Sequence, residues 1–303
     1  MEATQTMTNE QLESNIKSLR AKKIIVDILS YCSLAIMAIL WFFSEKKSII
    51  ALGFVFMIVT VVLFVMSSGY GNKIKKLLSD NIISSVLKEA LGDTVEYNPG
   101  GRVEPGYMVF PFSHNVASGS DHIKAVYKGL NIELSDIELI EETESTNEDG
   151  VTEKNSVTRF KGQWLICDFG KELSGEVRLS ANTKQLRKQN KNNNIEMENE
   201  EFNKRFLVIA GNPEEAYYIL TPHMMEYILS MADKSGGEVY MSFLRDGKMQ
   251  IAVRTDRDFF ELGKSKVNVE KLREKFMGEL RWFTDMVDTL RLEDSIYKKE
   301  TNV

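Results

Sequence analysis

Hydrophobic residues crowd into two runs near the start of the chain, "IIVDILSYCSLAIMAILWFF" at 24–43 and "IIALGFVFMIVTVVLFVM" at 49–66. At a helical rise of about 1.5 Å per residue, each run is long enough for the roughly 30 Å hydrocarbon layer of a bilayer. A core helix of a soluble protein rarely stays apolar all round over such a length. Only "SEKKS" (44–48) separates the runs, which predicts a transmembrane helical hairpin over 24–67 with both chain ends on one side. Lys17, Arg20, Lys22 and Lys23 flank it before, and Lys73, Lys75 and Lys76 after; the turn holds Lys46 and Lys47, partly offset by Glu45. The positive-inside bias therefore assigns both termini to the cytoplasm. Asp27 sits near one end, within reach of headgroups, and Trp41 and Tyr70 fall where interfacial aromatics belong. The first run follows a mixed-charge segment and lacks a small-residue cleavage pattern, so a removed signal peptide is not expected.

Around the hairpin the period changes. Leu12, Ile16 and Leu19 recur at helical spacing behind a Thr8–Gln11 capping box, predicting an amphipathic helix within 1–23 that runs into the first span. "SSGYGN" is expected to break the second helix, and a connector helix over 72–92 follows, closed by Gly92. From 93 to 303 the texture is that of a soluble α+β domain with a mostly antiparallel sheet and packed helices. Strands are predicted in 107–112, 130–143, 157–169, 175–181 and 204–211. "TESTNEDGVTEKNS" and the basic, asparagine-rich "KQLRKQNKNNN" (184–194) read as solvated loops between them. "EVYMSFLRDGKMQIAVRT" (238–255) reads as a hairpin about an Asp-Gly turn. In 268–292, Val269, Leu272, Phe276, Leu280, Phe283, Val287 and Leu290 form one core-facing helical stripe.

Composition narrows the function classes. The chain carries 38 basic and 44 acidic side chains and a pI near 5.4, which offers no basic face for nucleic acid. Residues 72–303 hold a net charge of −7, because residues 1–71 contain six basic and five acidic side chains. A cytosolic domain of that charge is repelled by anionic lipid. Cys32 and Cys167 lie in an apolar run and a strand-like run, so a disulfide is not expected. No Cys/His spacing suggests a zinc site, and no motif calls for a cofactor.

The stretch that most looks like chemistry is "EFNKRFLVIAGNPEEAYYILTPHMM" (201–225). Capping rules explain it as two helix starts. Asn212 caps, Pro213 takes the first helical position and Glu215 completes a capping-box-like arrangement; Thr221 and Pro222 repeat the device, with Gly236 as the stop. His223 then lies solvated in a first turn. An enzyme would draw on "SHNVASGSDH", where His114, Asp121 and His122 accompany Ser118 and Ser120. Neighbours on one loop rarely reach the mutual geometry that nucleophilic catalysis needs. "NPGGRVEPG" (98–106) lacks the lysine and following helix of a phosphate loop, and Cys167 beside Asp168 reads as a packed strand cysteine. A transport path would have little besides Asp27 and Thr60 to line it, and Gly53 alone makes no helix-packing motif.

"EFNKRFLVIAGNPEEAYYILTPHMMEYI", "SFLRDGKMQIAV" and "DFFEL" (258–262) resemble the C-terminal half of a bacterial membrane family, domain of unknown function 3137. "FKGQWLICDFGKELSGEVRL" (160–179), "SGSDHIKAVYKGLNIELSDIEL" (118–139) and the two spans are similar to its preceding blocks. The acidic and asparagine-rich loops are not part of that pattern. The resemblance implies a location in the bacterial inner membrane and a possible partner of the LemA type, beside which members are often encoded, and implies no catalytic residues. The expected function is a non-enzymatic, membrane-anchored interaction module; the alternative is a membrane-tethered hydrolase.

Overall fold

Two continuous apolar runs form two long helices that meet along a seam of small and hydroxyl residues, while the rest of their surface stays apolar. In the computed structural model, which describes residues 7–43, 47–106, 109–146, 152–168, 173–262 and 267–289, these are α1 (Asn9–Phe43) and α2 (Lys47–Leu78). Both are long and apolar enough to cross a membrane. They belong to one compact unit, residues 1–86 with 262–275; residues 87–261 with 276–303 form a second.

The hairpin is inverted relative to a soluble protein. Ser30, Ser33, Thr60 and Ser67 are buried between the helices, while Ile25, Ile28, Ile58, Val61 and Val65 face outward and exposed. Thr60 Oγ1 donates to Ser33 Oγ at 2.9 Å, Ser33 Oγ to the Phe56 carbonyl at 3.1 Å, and Ser67 Oγ to Asp27. Lys23 Nζ lies 2.7 Å from Asp27 Oδ2. The pairs 27/67, 33/60 and Trp41/Phe54 fix an antiparallel register. Gly53, Thr60, Ser67 and Ile74, seven apart, are all buried on α2. Gly53 lets the helices close: a Cβ there would lie 2.1 Å from Trp41 Nε1. Gly53 acts here as one position of a seam that also holds Ser30, Ser33, Thr60 and Ser67, and these hydroxyls are buried in helix packing. In lipid, where apolar burial supplies no drive, small and hydroxyl residues bring helices together.

The Thr8–Gln11 box forms, with Thr8 N to Gln11 Oε1 at 3.2 Å and Gln11 N to Thr8 Oγ1 at 3.3 Å, and Leu12 and Ile16 are buried. The Glu13 carboxylate accepts from Val269 N at 2.9 Å. "SSGYGN" does not break α2, which runs through it. A π turn (Ser79–Ile83) interrupts later and leads into α3 (Ser84–Leu91). Helix propensity at two glycines gives way to a buried stripe that continues through Ile74, Leu78 and Ile82. Most of the 44–48 turn lies outside the described residues.

The second unit is built on a nine-stranded antiparallel sheet: β1 (Glu96–Asn98), β2 (Val116–Tyr127), β3 (Leu130–Thr146), β4 (Thr152–Asp168), β5 (Val177–Ala181), β6 (Asn194–Ile195), β7 (Phe206–Ala210), β8 (Glu238–Phe243) and β9 (Lys248–Arg254). Their order is β1-β2-β3-β4-β9-β8-β5-β7-β6. One registered row, Tyr97, Ile123, Leu134, Leu165, Ile251, Met241, Leu179, Val208 and Ile195, crosses all nine strands on one face. On the other face Val103, Val109 and Phe110 pack against Ile137, Leu139, Phe160, Trp164 and Tyr240.

Five helices accompany the sheet: α4 (Lys184–Gln189), α5 (Glu200–Arg205), α6 (Pro213–Ile219), α7 (Pro222–Ser235) and α8 (Val269–Thr289). The α8 stripe buries Val269, Leu272, Phe276, Leu280 and Val287; the Phe283 side chain and Leu290 lie outside the described residues. Four expectations are corrected. Residues 109–112 form a turn rather than a strand, and β2 occupies the stretch taken as a loop with His122. Most of "TESTNEDGVTEKNS" extends β3 and β4 as a ribbon paired from Thr143↔Asn155 to Thr146↔Thr152, because cross-strand bonding sustains strands that bury nothing. "KQLRKQ" is helical, capped by Thr183 and anchored by buried Leu186.

Candidate functional site

Alternation along β3 places Leu130, Ile132, Leu134 and then Asp136 on one inward face. A carboxylate at an apolar position must be satisfied by neighbours. Asp136, 3% exposed, accepts from Phe259 N at 2.6 Å and from Gln163 Nε2 at 3.2 Å. Gln163 also donates to the Arg257 carbonyl at 2.8 Å and accepts from Thr255 Oγ1 at 2.8 Å. Together these bonds fasten the 255–259 segment to β3 and β4.

A second carboxylate lies beside it. Ser120 on β2 pairs in register with Asp136, and the ladder shifts between Ser120 and Ile123. At this bulge Asp121 takes a left-handed backbone, φ 59°, which asparagine and aspartate tolerate best among side-chain-bearing residues. Asp121 Oδ1 accepts from Tyr97 OH at 2.5 Å and Oδ2 from Ser120 Oγ at 2.7 Å. Burial, with the nearby charges of Asp121 and Asp258, pushes Asp136 up to about 8 against the opposing bonds from Phe259 and Gln163. Burial and the charge of Asp121 likewise raise Tyr97. Asp136 is thereby biased toward its neutral form, as a carboxyl in a poorly hydrated site should be.

Of the candidate residues, Asp121 and His122 are neighbours at the bulge, but their bonds go to different partners. His122 Nε2 lies 2.9 Å from Glu133 Oε2, and Lys124 is 3.4 Å from the same carboxylate. Despite partial burial, these contacts hold Glu133 below the usual carboxylate range. His114, ahead of β2, places Nδ1 2.9 Å from the Phe112 carbonyl and its ring against Phe110. A pocket of about 350 Å³ opens where Gln163, Thr255, Arg257, Asp258, Lys234 and Glu279 meet. Gln163 lines it, with Asp136 behind. Lys161 pairs with Asp258 at 2.9 Å at its rim. Tyr97, Asp136 and Gln163 escaped the sequence reading. The available signal was the polar residue that continues the Leu130–Leu134 period.

In the 201–225 stretch, Asn212 accepts from Glu214 N at 3.0 Å and Thr221 from Met224 N at 3.3 Å, and Gly236 is left-handed at φ 66°. His223 is exposed and stacks on Tyr227. Glu215 departs from the expected box. Its Oε1 accepts from Ser174 N at 2.5 Å, Ser174 Oγ at 2.6 Å and Gly175 N at 3.1 Å, so it ties α6 to the turn before β5. Cys167 is buried in β4, where burial pushes its thiol up.

The chain thus combines two helices long and apolar enough to cross a membrane with an antiparallel α+β domain. Residues 158–292, from within β4 to just past α8, match the family described as Protein of unknown function (DUF3137). The similar blocks at 118–139 and the two spans fall outside that match. No curated protein matches the chain. Among solved structures the chain is similar to the mycobacterial trehalose monomycolate transport factor A, TtfA, with 12% identity over 69% of this chain and 93% of that one. The TM-score is 0.33, too low to carry an argument.

Proposed function

We propose that the protein is a membrane-anchored, non-enzymatic interaction module of the bacterial inner membrane, with both termini and the α+β domain in the cytoplasm, which binds or positions an envelope-associated partner. The observation that supports this reading is the inverted hairpin, with hydroxyls and Asp27 inside and isoleucine and valine outside. Such a pair of helices suits an anchor in lipid. Lysine flanks on both outer ends support the orientation. The engaged states of Asp121, His122 and His114 favour structural roles over a hydrolytic triad.

The test is co-purification from detergent of the full chain, and of residues 1–92 alone, with a co-expressed LemA-type membrane protein. Association with the full chain and its loss with the hairpin support the module. Failure of both to associate refutes that partner, and ester hydrolysis abolished by Asp121→Asn or His122→Gln would favour the hydrolase. Cysteine labelling of the 44–48 turn from outside intact cells tests the orientation; labelling of the C-terminal tail instead reverses it.

A further inference from the structure

Among the described residues four buried side-chain atoms lack a hydrogen-bond partner, and three of them cluster: Arg178 Nε, Ser180 Oγ and Ser242 Oγ. Arg178 on β5 faces Ser242 on β8 in register, and Ser180 follows two residues along, so all three share one sheet face. Ser242 is 0% and Ser180 4% exposed, whereas Arg178 is partly buried, with its Nε covered. Leaving one such group unbonded costs about 1–3 kcal/mol, and native proteins contain few.

The neighbouring acceptors are already used. Gln250, opposite Ser242 on β9, accepts through Oε1 from Trp164 Nε1 and Gly106 N, each at 2.9 Å. Asn182, next along the same face after Ser180, accepts from Arg187 Nε at 3.1 Å and Nη2 at 2.9 Å. Across β7, Arg178 and Ser180 meet Ile209 and Leu207, which pack with Leu186 and Phe112 and offer nothing polar. Lys184, Arg187 and Lys188 lie on α4, while Glu196 and Glu200 line the pocket that Asn182 and Arg187 share with Lys204. A partly reachable guanidinium beside two buried hydroxyls, ringed by spent acceptors and apolar walls, lacks an acceptor with several oxygens.

We propose that Arg178, Ser180 and Ser242 form a binding site for an oxyanion group, with the guanidinium supplying charge and the two hydroxyls supplying directed donors. Guanidinium matches the planar spread of oxygens in carboxylate and phosphate, which a lysine would not. The site lies on the sheet face opposite Asp136 and is independent of the anchor reading.

The experiment is thermal unfolding of the full chain in detergent micelles, titrated with inorganic phosphate and, separately, with acetate. Expected is a saturable rise in Tm with at least one anion. Apparent affinity should fall about ten- to a hundredfold in Arg178→Met, the range for losing a charged hydrogen bond, and should fall in Ser242→Ala. Lys124→Ala, an exposed charge on β2 five strands from β5 in the sheet order, should leave the response intact and accounts for general salt effects. A response to phosphate alone identifies a phosphoryl ligand, and one to acetate alone a carboxylate. The proposal is overturned if the wild type responds to neither, or if Arg178→Met and Ser242→Ala keep the full response. Should Arg178→Met fail to fold, Ser242→Ala, which removes one oxygen from a buried strand, decides alone.

Discussion

Asp136 offers the sharpest test of the buried network. Its carboxyl ordinarily titrates near 3.8 and in the fold is pushed up to about 8, chiefly by burial. Between those values the folded chain holds a proton that the unfolded chain has released, so stability falls as pH rises. The slope is about 1.4 kcal/mol per pH unit, or about 2.7 kcal/mol from pH 5 to pH 7. Above about 8 the contribution levels off. Asp136→Asn removes the titration while leaving an oxygen for Phe259 N. It also sets an amide nitrogen near Gln163 Nε2, which costs stability, but by an amount that does not vary with pH. The slope of the wild-type-minus-variant difference therefore isolates the proton. Urea unfolding of the full chain in micelles, followed by fluorescence of buried Trp164 with Trp41 and Trp282 changed to phenylalanine, measures it from pH 5 to 8. A flat difference would refute the reading. A rising one would mean that the Phe259 and Gln163 bonds outweigh burial and hold the group ionised.

Further expectations follow from close approaches and bonds. At Gly162 a Cβ would lie 2.0 Å from the Val253 carbonyl oxygen of the adjoining strand, so Gly162→Ala should destabilise by about 3 kcal/mol or more, read as a fall in Tm. Glu215→Gln should cost about 2 kcal/mol at pH 7 through weakened bonds from Ser174 and Gly175. Ser174 chiefly holds the Glu215 carboxyl below its usual range, so that stabilisation is complete above about 4.5 and disappears as pH falls through the lowered value. The wild-type and variant denaturation midpoints should accordingly converge in acid. Cys167 should resist maleimide in the native protein and react on unfolding, as mass spectrometry would report; labelling of the folded chain contradicts its burial.

Where a local rule acted alone, the sequence was readable. Asn212, Thr221 and Gly236 mark helix ends because each satisfies or permits a backbone group within a few residues. The Asp-Gly hairpin and the α8 stripe follow from equally short-range patterns. The reading lapsed where distant partners decide. "SSGYGN" stays helical because its flanking stripe is buried, and Glu215 serves a turn some forty residues away rather than its own helix end. "SHNVASGSDH" looked like a loop because a bulge disrupts its alternation at Asp121. The Asp136–Gln163–Phe259 bonds join segments far apart in sequence, and no single-stretch pattern could pair them.

The ribbon formed by the far ends of β3 and β4 extends past the last partners of both strands, Ile140 on the β2 side and Gly162 on the β9 side. The Asn115 side chain caps the β3 edge by bonding the Glu142 N–H and carbonyl, each at 2.8 Å, and strand edges beyond such a cap are templates on which another chain could polymerise. The ribbon's side chains oppose this: Glu142, Glu144 and Glu153 are exposed, and Lys154 is engaged by Glu144 at 2.8 Å. Like-charged ribbons repel one another before their amides can meet. Acidity in this segment thus acts as a guard on colloidal behaviour, and neutralising it would show first as turbidity at high protein concentration, well before any loss of fold.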